Sequence, residues 1–109
     1  MPWTYAATVS ELAARDVIGV ECEGRRVALY RLGDEVFATS DACPHQGASL
    51  AQGCVVQGFI ECPLHFALFD VRTGEADGAM TTTAVRTYPT RVEDGTIYVD
   101  LSGSEETVS

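Results

Sequence analysis

CPHQGASLAQGCVVQGFIECPLHFALFD, residues 43–70, holds both histidines of the chain, each beside a cysteine: Cys43-x-His45 and, sixteen residues later, Cys62-x-x-His65. Each pair offers one thiolate and one imidazole on a short loop. A set of two sulfurs and two nitrogens suits a metal that tolerates mixed coordination. Two centres meet that demand: a single tetrahedral zinc, or an iron–sulfur centre in which two histidines replace two cysteines on one iron. A single spacer in Cys43-x-His45 fits zinc less well, because zinc pairs commonly stand two to four residues apart. Colour separates the two, since zinc is spectroscopically silent.

The residues around these pairs suit a charged sulfur centre. Pro44 and Pro63 follow the two cysteines and hold each in an extended conformation. His45, Gln46, Leu64 and His65 keep N–H groups that, turned inward, stabilise negative sulfur. Gly47, Gly53 and Gly58 let the intervening chain bend tightly. Cys22 and Cys54 fall in strand-like segments and read as small core residues, with a disulfide between them disfavoured in a reducing compartment.

Outward from this stretch the pattern is β-structure. Segments 3–8, 17–22, 26–32 and 35–40 precede it as strands, with Glu23-Gly24 and Gly33-Asp34 as tight turns that make an antiparallel meander. Ser10 is placed to cap a brief helical turn over 11–14, which Asp16 ends. Within and after the stretch, 54–56, 59–61 and 67–71 are short β segments, and Thr73-Gly74 turns the chain. Residues 75–83 show no periodicity and read as a third loop. Segments 85–88, 91–93 and 96–101 return to strand, with Asp94-Gly95 as a hairpin signal. The polar tail 102–109 is expected to fray. The reading is a single all-β domain over 1–109. A small ligand-bearing subdomain, about 42–83, is inserted in an antiparallel base made of 1–41 and 84–101.

At 109 residues, 46% hydrophobic and 21% charged, the chain has the make-up of one soluble globular domain. A net charge of -9 with seven scattered basic residues excludes a phosphate-binding stripe, so no nucleic-acid partner is expected. No apolar run reaches membrane-spanning length. MPWTYAA, residues 1–7, shows no basic segment leading into an apolar one, so the expected location is the cytoplasm. There, paired cysteines more often bind metal than each other.

Cys43-Pro-His45-Gln-Gly47 and Cys62-Pro-Leu-His65, followed by Phe69-Asp70 and Thr73-Gly74, resemble the Rieske family over roughly residues 17–101. The resemblance implies a Rieske fold and one 2Fe-2S cluster. Cys43 and Cys62 would bind the buried iron, and His45 and His65 the outer iron through Nδ1. High-potential members of the family carry a Ser two residues after the second His and a Tyr four after it, where this chain has Ala67 and Phe69. They also carry a loop disulfide whose positions correspond to Ala48 and Leu64. The resemblance therefore implies a potential low in the Rieske range of about -150 to +300 mV. Many relatives have prolines in the third loop, where this chain has Gly78-Ala79-Met80, with Met80 as a soft apolar filler.

The pattern is similar to the small Rieske ferredoxins of bacterial aromatic-ring-hydroxylating oxygenases. That implies an electron carrier between a flavin-dependent ferredoxin reductase, fed by NADH or NADPH, and a terminal Rieske oxygenase. Oxygenation by this chain itself is ruled out on ligand count, since a mononuclear iron site needs two further histidines. The histidine edges would lie at a tip ringed by Leu50, Leu64, Phe66 and Met80, suited to brief contacts, with the acidic body steering partners. The alternatives are the small subunit of an assimilatory nitrite reductase, or a zinc-stabilised binding module.

Overall fold

A computed structural model describes residues 3–42, 49–63, 67–76 and 84–101. With strands numbered in chain order, β2 (Val17–Cys22), β3 (Arg25–Leu32) and β4 (Glu35–Ser40) form the expected antiparallel meander. The two residues between β2 and β3, Glu23 and Gly24, have φ of 51° and 82°. Two left-handed residues in succession are what a two-residue hairpin turn needs to match the strand twist. β8 (Thr87–Tyr88) joins the free edge of β4, giving the order β2-β3-β4-β8. A second sheet pairs β1 (Trp3–Thr8) with β10 (Thr96–Asp100), which in turn pairs with β9 (Thr90–Glu93). β5 (Cys54–Val56), β6 (Phe59–Glu61) and β7 (Leu68–Asp70) form a third, in that order.

The four-stranded sheet is the middle layer, and β3 shows why. Val27, Ala28, Leu29 and Tyr30 are all fully buried. Because side chains alternate across a strand, Val27 and Leu29 reach one side and Ala28 and Tyr30 the other. Val27 and Leu29 pack with Ala7, Leu12, Ile97 and Val99 beneath the β1-β10-β9 sheet. Ala28 and Tyr30 pack with Leu50, Ile60, Phe69 and Val71 beneath the β5-β6-β7 sheet. Burial of each larger aliphatic or aromatic side chain contributes roughly 1.5–3 kcal/mol, so a strand buried on both faces ties the layers together.

Three expectations need correction. The helix α1 (Val9–Ala13) is capped by Thr8, not Ser10. Thr8 Oγ1 accepts from the Glu11 N–H at 3.2 Å while Glu11 Oε1 accepts from the Thr8 N–H at 2.9 Å. Thr8-x-x-Glu11 has the spacing of a reciprocal capping box, and Ser10 lies inside the helix it was expected to start. Cys54 is exposed rather than buried, because β5 is an edge strand of its sheet. Leu50, expected at an apolar tip, is fully buried in the 3-10 turn Leu50–Gln52 and belongs to the core. Among the described residues no helix is long and apolar enough to cross a membrane.

Candidate metal centre

Of the four candidate ligands, Cys62 lies among the described residues; Cys43, His45 and His65 lie outside them. So do Leu64, Phe66, Met80 and residues 77–83 of the loop expected over 75–83. Cys62 leaves the end of β6, the central strand of its sheet, and is fully buried with no disulfide. Its N–H donates to the Ala67 carbonyl at 2.8 Å, which closes the chain around residues 63–66. Ile60 and Phe69, paired across β6 and β7, are both fully buried two residues before and two residues after that closure.

The other two segments are closed at their feet in the same way. Ala42 and Ser49 form an antiparallel bridge across residues 43–48, and the Leu50 N–H donates to the Asp41 carbonyl at 2.6 Å. Further along, Ala76 bridges to Phe69, and the Val85 N–H donates to the Gly74 carbonyl at 2.8 Å. Gly74 has φ of 81°, and a Cβ there would collide with the Val85 carbonyl oxygen. Leu50, Cys62, Ala67, Phe69, Val85 and the half-buried Ala76 belong to one apolar cluster. All three segments therefore spring from a common floor.

Sequence reasoning missed the polar part of this floor. Asp41 is 3% exposed. Its carboxylate accepts from Arg26 Nη2 at 2.7 Å, from the Ser49 hydroxyl at 2.7 Å and from the Ala51 N–H at 2.8 Å. An acidic residue in a loop reads as solvated, and the one available signal was its place directly ahead of Ala42 and Cys43.

The other cysteines separate from Cys62. Cys22 is buried in the opposite apolar cluster, where its thiol donates to the Tyr5 carbonyl at 3.7 Å. Burial, reinforced by the Glu23 carboxylate, pushes that thiol above its ordinary range. Cys54 faces solvent opposite Glu61. Neither joins the floor. A buried, unbridged thiol on an apolar floor fits the inner sulfur ligand of an iron–sulfur cluster, where low solvent exposure and a dry surround govern the potential.

The Rieske [2Fe-2S] domain family matches residues 2–89. The chain is 47% identical over 99 residues to the anthranilate 1,2-dioxygenase ferredoxin subunit of Burkholderia cepacia, covering 91% of this chain and 92% of that one. It is 40% identical over 100 residues to the naphthalene 1,2-dioxygenase system ferredoxin component of Pseudomonas putida, covering 92% and 96%. The structure superposes on the ferredoxin of carbazole 1,9a-dioxygenase from Nocardioides aromaticivorans IC177 with a TM-score of 0.84 at 34% identity, covering 91% and 97%. Fold, floor and relatives agree that the chain belongs to the Rieske family, as an electron-transferring ferredoxin with one Rieske-type 2Fe-2S cluster.

Proposed function

We propose that this ferredoxin passes single electrons from a flavin-dependent, NAD(P)H-oxidising reductase to a terminal oxygenase that hydroxylates aromatic rings, in the cytoplasm. Cys43, His45, Cys62 and His65 would hold the cluster, within a subdomain of about 42–83 carried on a base of 1–41 and 84–101. The cluster, when bound, supplies a one-electron couple. The observation that carries the ligand assignment is the buried Cys62 thiol, on a floor shared by the feet of all three segments.

The chain's own residues set the conditions for that couple. Ala67 and Phe69 stand where high-potential relatives carry hydroxyl donors, and both are buried on the floor. A methyl and a phenyl donate no hydrogen bond to sulfur, which favours a potential in the low part of the Rieske range. A carrier in that range accepts from a reduced flavin and discharges to an oxygenase. The relatives named as dioxygenase ferredoxins match nearly end to end, which favours this partner set over a nitrite reductase subunit.

The test starts with the purified holoprotein: iron and acid-labile sulfide, visible absorption, and the electron-spin signal after reduction. Two irons and two sulfides per chain, with a rhombic signal on one-electron reduction, are expected of a [2Fe-2S] centre. Replacement of His65 or Cys62 by Ala should abolish iron, colour and NADH-driven electron delivery together. Retention of all three in either variant would refute the ligand assignment. A colourless wild-type preparation with stoichiometric zinc would refute the carrier.

A further inference from the structure

We propose that Asp41 is a positioning residue for the cluster: its buried carboxylate latches the foot of the first ligand-bearing segment to the middle sheet. This rests on the ligand assignment proposed above. Asp41 follows β4 and precedes Cys43 by two residues, and it grips both sides of the segment. On the incoming side, the Asp41 N–H donates to the Arg26 carbonyl at 3.0 Å and its carboxylate takes the Arg26 guanidinium at 2.7 Å. On the returning side it collects three donors: the Ser49 hydroxyl, the Ala51 N–H and, through its carbonyl, the Leu50 N–H.

The 3-10 turn so held is seated on β2. A Cβ at Gly19 would stand 3.1 Å from the Ala51 Cβ and 3.8 Å from Asp41 Oδ1. The latch thus joins β2, β3, β4 and the returning chain at one buried point. Its parts also differ in exposure, the Arg26 side chain being 58% exposed and that of Asp41 4%. The carboxylate is therefore the buried, irreplaceable member and the guanidinium its solvent-facing counter-charge. Charge-assisted hydrogen bonds are about twice as strong as neutral ones, and three of them converge here. Holding Ala42 and Ser49 at a fixed span holds the outgoing and returning chain of the ligand segment at a fixed span. A buried negative charge two residues before Cys43 would also oppose the extra electron of the reduced cluster.

Two consequences separate this role from ordinary support. Asp41→Asn keeps the shape but removes the charge and mismatches a donor against Arg26. Release of iron to a chelator should then speed up on the order of a hundredfold, from loss of two charge-assisted bonds. The midpoint potential of the cluster that remains should rise. Ser49→Ala, which removes one donor and leaves the charge, should give roughly a tenfold faster release with little change in potential. Leu12→Ala, which opens a cavity in the opposite apolar cluster, is the control for stability lost away from the floor.

The measurements are chelator-release kinetics, potentiometric titration, and deuterium exchange of the peptide spanning residues 49–56 in each holoprotein. Faster exchange of that peptide in Asp41→Asn, but not in Leu12→Ala, is expected. Iron release and potential in Asp41→Asn indistinguishable from Leu12→Ala would overturn the latch. Absence of any iron–sulfur cluster in the wild type would instead overturn the ligand assignment. Exchange of residues 49–56 would still report whether Asp41 holds the turn.

Discussion

Tyr30 is fully buried where β3 faces the floor, and its hydrogen bond has a defined direction. The Thr39 hydroxyl donates to the Ser40 carbonyl at 2.8 Å, so the Tyr30 O–H donates to Thr39 Oγ1, also at 2.8 Å. Burial raises the ionisation of this phenol well above its ordinary value of 10.0, and the Asp41 charge adds to the rise. A group whose folded pKa is raised contributes stability in full below its unfolded pKa and loses it as pH climbs. For Tyr30 that loss begins near pH 10, at about 1.4 kcal/mol per pH unit. Tyr30→Phe is therefore expected to cost about 1 kcal/mol at neutral pH and then to fall more slowly above pH 10 than wild type. A urea-denaturation series over pH checks this, and two parallel curves would remove the argument. At this scale the sequence was legible where chemistry comes in pairs: the Cys–His motifs pointed to the family to which the chain belongs. It was illegible where one residue acts through contacts distant in the chain. Asp41 draws on Arg26 and Ser49, and nothing in a lone Asp reveals them. Cys54 reads as a core residue from its neighbours, and only the edge position of β5 turns it outward.

Among the elements, the hairpin of β5 and β6 governs how Cys62 is presented, and Gly53 governs that hairpin. Gly53 has φ of -89° and ψ of -164°, an extended backbone open to any residue. What requires glycine is space, because a Cβ would collide with the Glu61 carbonyl oxygen. Gly53→Ala must push β5 from β6 at the residue directly before Cys62, which overpacks the site by roughly 1–3 kcal/mol. Gly24→Ala is the contrast: φ is 82° and nothing stands within 4 Å of the added carbon. Its strain costs about 1 kcal/mol and stays in the β2–β3 turn. Thermal unfolding with iron analysis should show Gly53→Ala losing iron at a temperature where Gly24→Ala keeps it. Equal iron retention at equal stability would show that the hairpin does not position Cys62. Strands were the legible elements, because alternation and turn residues are local signals: β1, β2, β4, β5 and β6 begin and end as expected. The 3-10 turn Leu50–Gln52 is too short to have a period. The strand expected over 85–88 shrinks to Thr87–Tyr88, because Val85 is engaged with Gly74 at the foot of the third segment.

At the scale of the molecule, the three-sheet stack separates the end that carries the proposed cluster ligands from the sheet of β1, β10 and β9. The net charge is -9, and all seven basic residues are arginines. Arginine does not react with activated carboxylates, so carbodiimide coupling links this chain's acids to a partner's lysines with little self-linking. Glu61 and Glu75 lie on the feet of the second and third segments, beside the floor. Glu93 and Asp94 lie on the β9–β10 hairpin, in the sheet on the other side of the middle layer. If partners take and give electrons at the segment end, coupling to the reductase should map to Glu61 or Glu75 and spare Glu93 and Asp94. The attraction acts over a Debye length of about 8 Å at physiological salt and about 3 Å at 1 M. Coupling yield and the rate of reduction should therefore fall together as salt is raised, and the fall should weaken when Glu61 and Glu75 are replaced by Gln. Redox encounters bury little surface and part quickly, so the charge acts on the rate of meeting more than on the lifetime of the complex. A rate of reduction indifferent to salt, or cross-links confined to the β9–β10 hairpin, would place the docking face elsewhere on the molecule.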